Sequence, residues 1–218
     1  MTFDKSTRAY PVKPEQGLVF IHIPRCGGTS VHDFLAATVP LEPRPGLAAR
    51  LAQFYLPSLL NKHTTGRVLR EVLGETNWMS VQKLTVVRNP WDQMVSRYHW
   101  WLQKAPRFSF FRECAAEVAE LGSFDSFLSS RFGREFGNPL DWFTDDYGTD
   151  IVDFVARYET LERDIHQFCE SARLAPRKVL PHLNATERSS YRDYYNSNTR
   201  RIVASRFSDL IVRFGYQF

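Results

Sequence analysis

Three short apolar runs interrupt a chain in which polar residues otherwise recur every few positions. They are Leu18 to Ile23 (LVFIHI), Lys83 to Val87 (KLTVV) and Ile151 to Tyr158 (IVDFVARY). Each is rich in β-branched residues and too short for a helix, so each reads as a strand, the first apolar enough to be buried on both faces. Elsewhere the apolar period is helical. Val31, Phe34 and Leu35 form one stripe, Val68, Leu69, Val72 and Leu73 a second, and Trp91, Met94, Val95 and Tyr98 a third. Leu161, Ile165 and Phe168 make a fourth, and Ile202, Val203, Phe207, Leu210, Ile211 and Phe214 a fifth.

These stripes predict a helix capped by Thr29 or Ser30, one over 64 to 73 stopped by Gly74, and others over 91 to 103, 160 to 173 and 197 to 214. Two helical pieces are expected near 109 to 121 and 123 to 132, and a short helix over 47 to 60, interrupted by Pro57. Residues 1 to 16 read as an extended lead-in and 176 to 195 as a polar connection. The aromatic residues of the middle segment, Phe108, Phe110, Phe111, Phe124, Phe127, Trp142 and Tyr147, are expected mostly in the core. Strands alternating with helices imply an α/β fold, a three-layer sandwich with a central parallel sheet of about four or five strands. At 218 residues, a single domain spanning 1–218 is the simplest expectation.

The first strand runs into a turn, FIHIPRCGGTS. Pro24 ends it for want of an N–H, and Gly27 and Gly28 permit close backbone approaches. Strand, glycine turn and helix together present amides and a positive helix end to an anion, and Arg25 adds a full charge. The nucleoside-triphosphate loop G-x-x-x-x-G-K-[ST] is not matched, since Gly28 stands where its lysine would be, and G-x-G-x-x-G is absent. On its own, such a turn fits an ordinary strand-to-helix connection better than a phosphate cradle. The second strand ends in VVRNPWDQMVSRY. Ligands of open parallel sheets collect at the carboxyl ends of strands, where Arg88 could grip a phosphate and Ser96 add a hydrogen bond. A local Arg88–Asp92 salt bridge explains the same residues equally well.

Composition narrows the partners. A net charge of +4 favours anionic ligands modestly and, without a basic stripe, does not argue for nucleic acid. Three widely spaced cysteines, Cys26, Cys114 and Cys169, form no zinc or disulfide framework, and no metal-ligand cluster is visible. The first residues lack a signal-peptide core and no apolar run approaches membrane-spanning length, so a cytoplasmic location is expected. Cys26 near a helix start invites a nucleophile reading, but no histidine and acid partner it at a protease-like spacing, and packing explains it better.

Taken together, FIHIPRCGGTS and TVVRNPWDQMVSRY resemble the two cofactor signatures of sulfotransferases that use 3′-phosphoadenylyl sulfate (PAPS), closest to the carbohydrate-type and bacterial members with HIPKTGGTS. KHTTGRVLREVLG, VDFVARYETLERD, LPHLNATERSSYRDYY and the closing FGYQF extend the likeness. The resemblance implies a P-loop-like 5′-phosphosulfate loop in which the amides of residues 25 to 30 (Arg25, Cys26, Gly27, Gly28, Thr29 and Ser30) and the Thr29 and Ser30 hydroxyls hold the cofactor. It implies that Arg88 and Ser96 bind the 3′-phosphate, that Arg188 either closes over the nucleotide or is a solvated loop arginine, and that the adenosine 3′,5′-bisphosphate (PAP) is released. The acceptor would be a hydroxyl of a glycan or another small molecule.

Arg25 departs from the family's usual lysine, which stabilises the bridging oxygen as the sulfuryl group leaves. Arginine supplies the charge but is a poor proton donor. A general base is also needed, and histidine, which ordinarily titrates near neutrality, suits the role. His63 lies where related carbohydrate enzymes carry a histidine beside the acceptor, so it leads. His22 reads as a hydrogen-bonded core residue, His99 as packing, His182 as structural or nucleotide-proximal, and His32 and His166 as surface positions. Trp100, Trp101 or Trp142 could offer a sugar-stacking platform if exposed.

Overall fold

The computed structural model of the chain describes residues 12–13, 17–38, 63–175, 179–183 and 186–218. The elements in chain order are β1 (Val12–Lys13), β2 (Leu18–Ile21), α1 (Gly28–Thr38), α2 (Gly66–Leu73), α3 (Glu75–Met79), β3 (Gln82–Val87) and α4 (Pro90–Gln103). There follow α5 (Arg112–Glu120), α6 (Phe124–Ser129), α7 (Arg131–Arg134), β4 (Phe154–Arg157), α8 (Leu161–Ser171), α9 (Ser197–Arg206) and α10 (Ser208–Phe214). The helix expected over 47 to 60 lies outside the described residues. Two compact units result: residues 1–87 with 140–183, and residues 88–139 with 184–218.

The first unit carries the sheet, in the order β1-β2-β3-β4. β2, β3 and β4 run parallel, with Leu18 opposite Gln82 and Leu84 opposite Phe154, and β1 pairs antiparallel with β2. Among the described residues the sheet thus has three parallel strands and one short antiparallel edge strand, where a parallel sheet of about four or five strands was expected. β2 is buried throughout and β3 from Lys83 onward, as parallel strands covered by crossover helices must be.

The third strand begins later than its apolar run. Asp153 is the cause: its carboxylate accepts from the Lys83 amide at 2.7 Å, and its own amide donates to the Lys83 carbonyl at 3.0 Å. The Lys83 ammonium is buried, donating to the Val81 carbonyl at 2.8 Å and lying 3.0 Å from the Asp153 carboxylate. A residue that reads as the polar start of a strand is therefore a satisfied internal cation.

Helix ends follow local chemistry. Asn89 caps α4 by accepting from the Trp91 amide at 3.1 Å, with Pro90 at the first helical position. Gly74 ends α2 with φ of 74°. Thr29 and Ser30 lie inside the first turn of α1 instead of capping it, because the Gly27 carbonyl already accepts from the Ser30 amide at 3.0 Å.

In the second unit, the helix expected over 197 to 214 is broken at Phe207 (φ −116°, ψ 28°), whose buried ring leaves the helical path. The aromatic residues divide. Phe124 and Phe127 are core, whereas Phe110 is 85% exposed. In the first unit Tyr147 is likewise exposed, since it sits at the tip of a turn closed by Asp145.

Gly66, at the start of α2, has no room for a side chain. A Cβ there would lie 2.7 Å from Ile21 Cδ1 and 3.0 Å from both Ile151 Cδ1 and the Trp142 carbonyl. Glycine-to-alanine in an open helix gains up to about 1 kcal/mol, but overpacking a core costs about 1–3 kcal/mol. Gly66→Ala should therefore lower stability, read as an earlier midpoint in thermal or urea unfolding, and a later midpoint would refute the close packing.

Candidate active site

In the first unit the strand-to-helix turn is held between two rings. Gly28 lies so close to His22 that a Cβ on it would be 2.0 Å from the imidazole Cδ2, and a Cβ on Gly27 would meet the Tyr158 ring at 3.0 Å. Gly27 also has φ of 76° and Arg25 has φ of 65°. For an arginine the left-handed region costs about 1–2 kcal/mol, and such strain gathers where a surrounding structure imposes it. The amides of Gly28 and Thr29 open α1 and have no acceptor within the helix. Arg25 adds a basic residue to the same turn. The turn thus combines helix-opening amides and an arginine on a backbone packed against His22 and Tyr158, a combination that can bind an anion.

Individual members of the turn differ. Cys26 is buried, its thiol directed back at the Pro24 carbonyl at 3.7 Å, which leaves packing as its role. The Ser30 hydroxyl oxygen is buried and accepts from the Leu183 amide at 2.9 Å, so only its proton remains to be donated. Thr29 is half-buried.

His63 precedes α2 and joins the turn through His22. Its Nδ1 is 2.9 Å from the His22 carbonyl and the two rings are 4.8 Å apart. A carbonyl accepts only, so Nδ1 carries the proton and Nε2 keeps the lone pair of the neutral ring. The His63 carbonyl in turn accepts from the Trp142 indole at 3.1 Å, which ties Trp142 to this loop. His22 itself is buried and stacked on Phe20 at 5.7 Å. It is the core histidine expected from the pattern, yet it also links the cradle to His63. A period of two from Phe20 through His22, ending three residues before Arg25, is the only sequence signal for that link.

A cleft of about 830 Å³ on the same unit is lined by Tyr158, Leu161, His166, Leu180 and His182 among others. Tyr158 and Leu161 are also the side chains beneath Gly27.

In the second unit Arg88, Asp92 and Ser96 follow one another at intervals of four, and Arg88 and Ser96 are buried. Asp92 Oδ2 accepts from Arg88 Nε at 2.8 Å and Nη2 at 2.6 Å, while Oδ1 accepts from Arg188 Nη2 at 2.5 Å. The local salt bridge is therefore real. Arg188 is not the solvated loop arginine that was one expectation: only 13% of its side chain is exposed. Behind the trio, Tyr195 donates to the Trp91 carbonyl at 2.9 Å. Burial pushes its phenol strongly up, with the Asp92 charge adding to the effect, so it stays a donor.

His99 has both ring nitrogens engaged, Nδ1 accepting from Gln103 at 3.1 Å and Nε2 donating to Tyr194 at 2.8 Å. Burial, then the Arg188 charge, lowers its pKa. Of the tryptophans, Trp101 is buried with its Nε1 lacking a hydrogen-bond partner, and Trp100 and Trp142 are half-buried.

A profile of the sulfotransferase family matches residues 8–217. The chain belongs to the sulfotransferase family. It is a PAPS-dependent enzyme, and this match extends over both units. No curated protein sequence matches this sulfotransferase. Among solved structures, the mouse sulfotransferase SULT7A1 complexed with PAP aligns with 90% of this chain and 84% of its own, at 15% identity and a TM-score of 0.46. Among the described residues of the sulfotransferase no group of three metal-ligating side chains occurs, and no helix is long and apolar enough to cross a membrane.

The contact between Gly28 and His22 generates a paired expectation. Gly28→Ala should destabilise the protein by about 1–3 kcal/mol, as overpacking does. The same alanine introduced into His22→Ala should cost clearly less, since the clashing ring is gone. Equal losses in the two backgrounds, measured by urea unfolding, would show that the ring does not limit the turn.

Proposed function

We propose that this sulfotransferase, acting as one domain over the length of the chain, moves a sulfuryl group from PAPS to a hydroxyl of a glycan or other small acceptor and releases PAP. The observation that carries the reading is the pairing of a strained, cationic strand-to-helix turn with a histidine whose tautomer is fixed by that turn's own strand. PAPS, when bound, supplies an activated sulfuryl group on a phosphate leaving group. The amides of residues 25 to 29, with Thr29 and the Ser30 proton, hold the 5′-phosphosulfate, since the Ser30 amide is already taken by the Gly27 carbonyl. Arg88 and Ser96 hold the 3′-phosphate, and Arg188 assists them. A cytoplasmic location fits three cysteines that form no disulfide.

The chain's residues divide the chemistry as follows. His63 Nε2 accepts the proton of the acceptor hydroxyl as its oxygen bonds to sulfur, and Nδ1 keeps its own proton on the His22 carbonyl. The Arg25 guanidinium neutralises the charge that gathers on the bridging oxygen as the S–O bond breaks. A phosphate leaving group needs little protonation, so a permanent cation serves there. In a loose transition state of the kind established for phosphoryl transfer, such positioning and charge carry most of the catalysis.

The direct test is PAP release from PAPS across a panel of hydroxyl acceptors, with no acceptor-dependent release as the result that removes the reading. Arg25→Ala should lower turnover by about two to three powers of ten, the scale of one lost oxyanion-type contact, with a smaller loss of PAP affinity. Arg25→Lys should keep or raise activity.

His63→Ala should lose about two to four powers of ten in turnover while binding PAP normally, as removal of a general base does. Added imidazole should recover part of that loss, and an unchanged rate in His63→Ala would assign the base elsewhere.

A further inference from the structure

Asp92 divides its two carboxylate oxygens between two arginines that come from distant parts of the chain, Arg88 just before α4 and Arg188 96 residues beyond Asp92 itself. All three side chains are largely withdrawn from water, at 6% exposure for Arg88, 16% for Asp92 and 13% for Arg188. Two guanidiniums against one carboxylate leave the trio with positive charge in excess. Asp92 also lines a cleft of about 400 Å³ with Thr186, Arg188, Ser189, Ser190 and Tyr191. Arg188 therefore reaches the carboxylate from a wall of that cleft.

A carboxylate beside a phosphate-binding arginine can act in two opposite ways. As a competitor it would weaken anion binding, and neutralising it would tighten the complex by raising the local potential. As a support it would hold the guanidiniums in the orientation that a phosphate needs, and neutralising it would loosen the complex despite the better charge balance. The geometry favours support. One oxygen takes Arg88 through both Nε and Nη2, fixing the guanidinium plane with two of its five N–H groups. Asp92 itself is carried on the first turn of α4, behind the Asn89 cap and Pro90. Arg188 has no such anchor of its own in a helix or strand.

We propose that Asp92 is the positioning residue of 3′-phosphate recognition, and that through it Arg188 becomes a specificity-determining residue for the phosphorylated ribose. This rests on the assignment of the 3′-phosphate to Arg88 and Ser96 made above.

The test compares PAP with 5′-AMP by calorimetry on the full chain, because only PAP carries the 3′-phosphate. Asp92→Asn should weaken PAP binding by about tenfold or more, the effect of losing a charge-assisted contact, while 5′-AMP affinity stays within about twofold. Arg188→Gln should lower the same PAP-to-AMP ratio, and the double variant should lose little more than either single one, since the two act together. Asp92→Glu, which keeps the charge, should recover part of the ratio.

Tighter or unchanged PAP binding in Asp92→Asn, or equal losses for both nucleotides, overturns the proposal. Should Asp92→Asn not fold, Arg188→Gln decides, and an unchanged ratio there overturns it. Arg88→Ala separates the two levels. If it leaves the ratio intact, the 3′-phosphate assignment itself fails. If it collapses the ratio while Asp92→Asn does not, only the positioning role fails.

Discussion

The first unit depends on a ring with no space above it. The His22 imidazole occupies the volume that any side chain at position 28 would need, so backbone and ring are in van der Waals contact. From that contact the rest of the unit's chemistry is arranged. The turn therefore cannot approach that ring any more closely. The carbonyl of the same residue receives the His63 proton, so the position that props up the strand-to-helix turn also decides which His63 nitrogen can take a proton. A displacement of β2 would alter both together.

The second unit handles charge by sharing. Asp92 serves two guanidiniums, and Arg206 donates to the Gly133 carbonyl at 2.7 Å, with burial lowering its pKa. Arg97 follows the same rule, donating to the Phe132 carbonyl at 2.9 Å and lying 4.7 Å from the Phe136 ring centre, and burial brings its pKa down to about 10. Backbone carbonyls and aromatic faces stand in for carboxylates, which limits how many negative charges the unit must carry. For a protein whose ligands are anions, that economy leaves the local potential positive.

The periodic features were legible from the residues alone. The β-branched runs located the parallel strands, Gly74 marked a helix end, and two motifs pointed to the sulfotransferase family. What stayed hidden depended on partners far along the chain. Nothing near Asp92 announces Arg188, and nothing near Lys83 announces that its ammonium would be buried against Asp153. Apolar pattern alone carried the 197 to 214 stripe straight through Phe207, because a period cannot register a ring that packs out of line. Glycine content located the turn correctly, and both glycines are tightly packed there, Gly28 against His22 and Gly27 against Tyr158. Besides Gly27, Arg25 is also left-handed, and no pattern in the residues marked that.

Arg25 also sets backbone strain and charge against each other at a single codon. A glycine there would relax the backbone by about 1–2 kcal/mol and delete the cation, whereas any long basic side chain keeps the cation and inherits the strain. Thermal selection alone would therefore drift toward uncharged loops, since the favourable direction at this position is the one that empties it of charge. Sequence variation at position 25 in laboratory evolution would report which of the two pressures was being applied, independently of any assay of the acceptor.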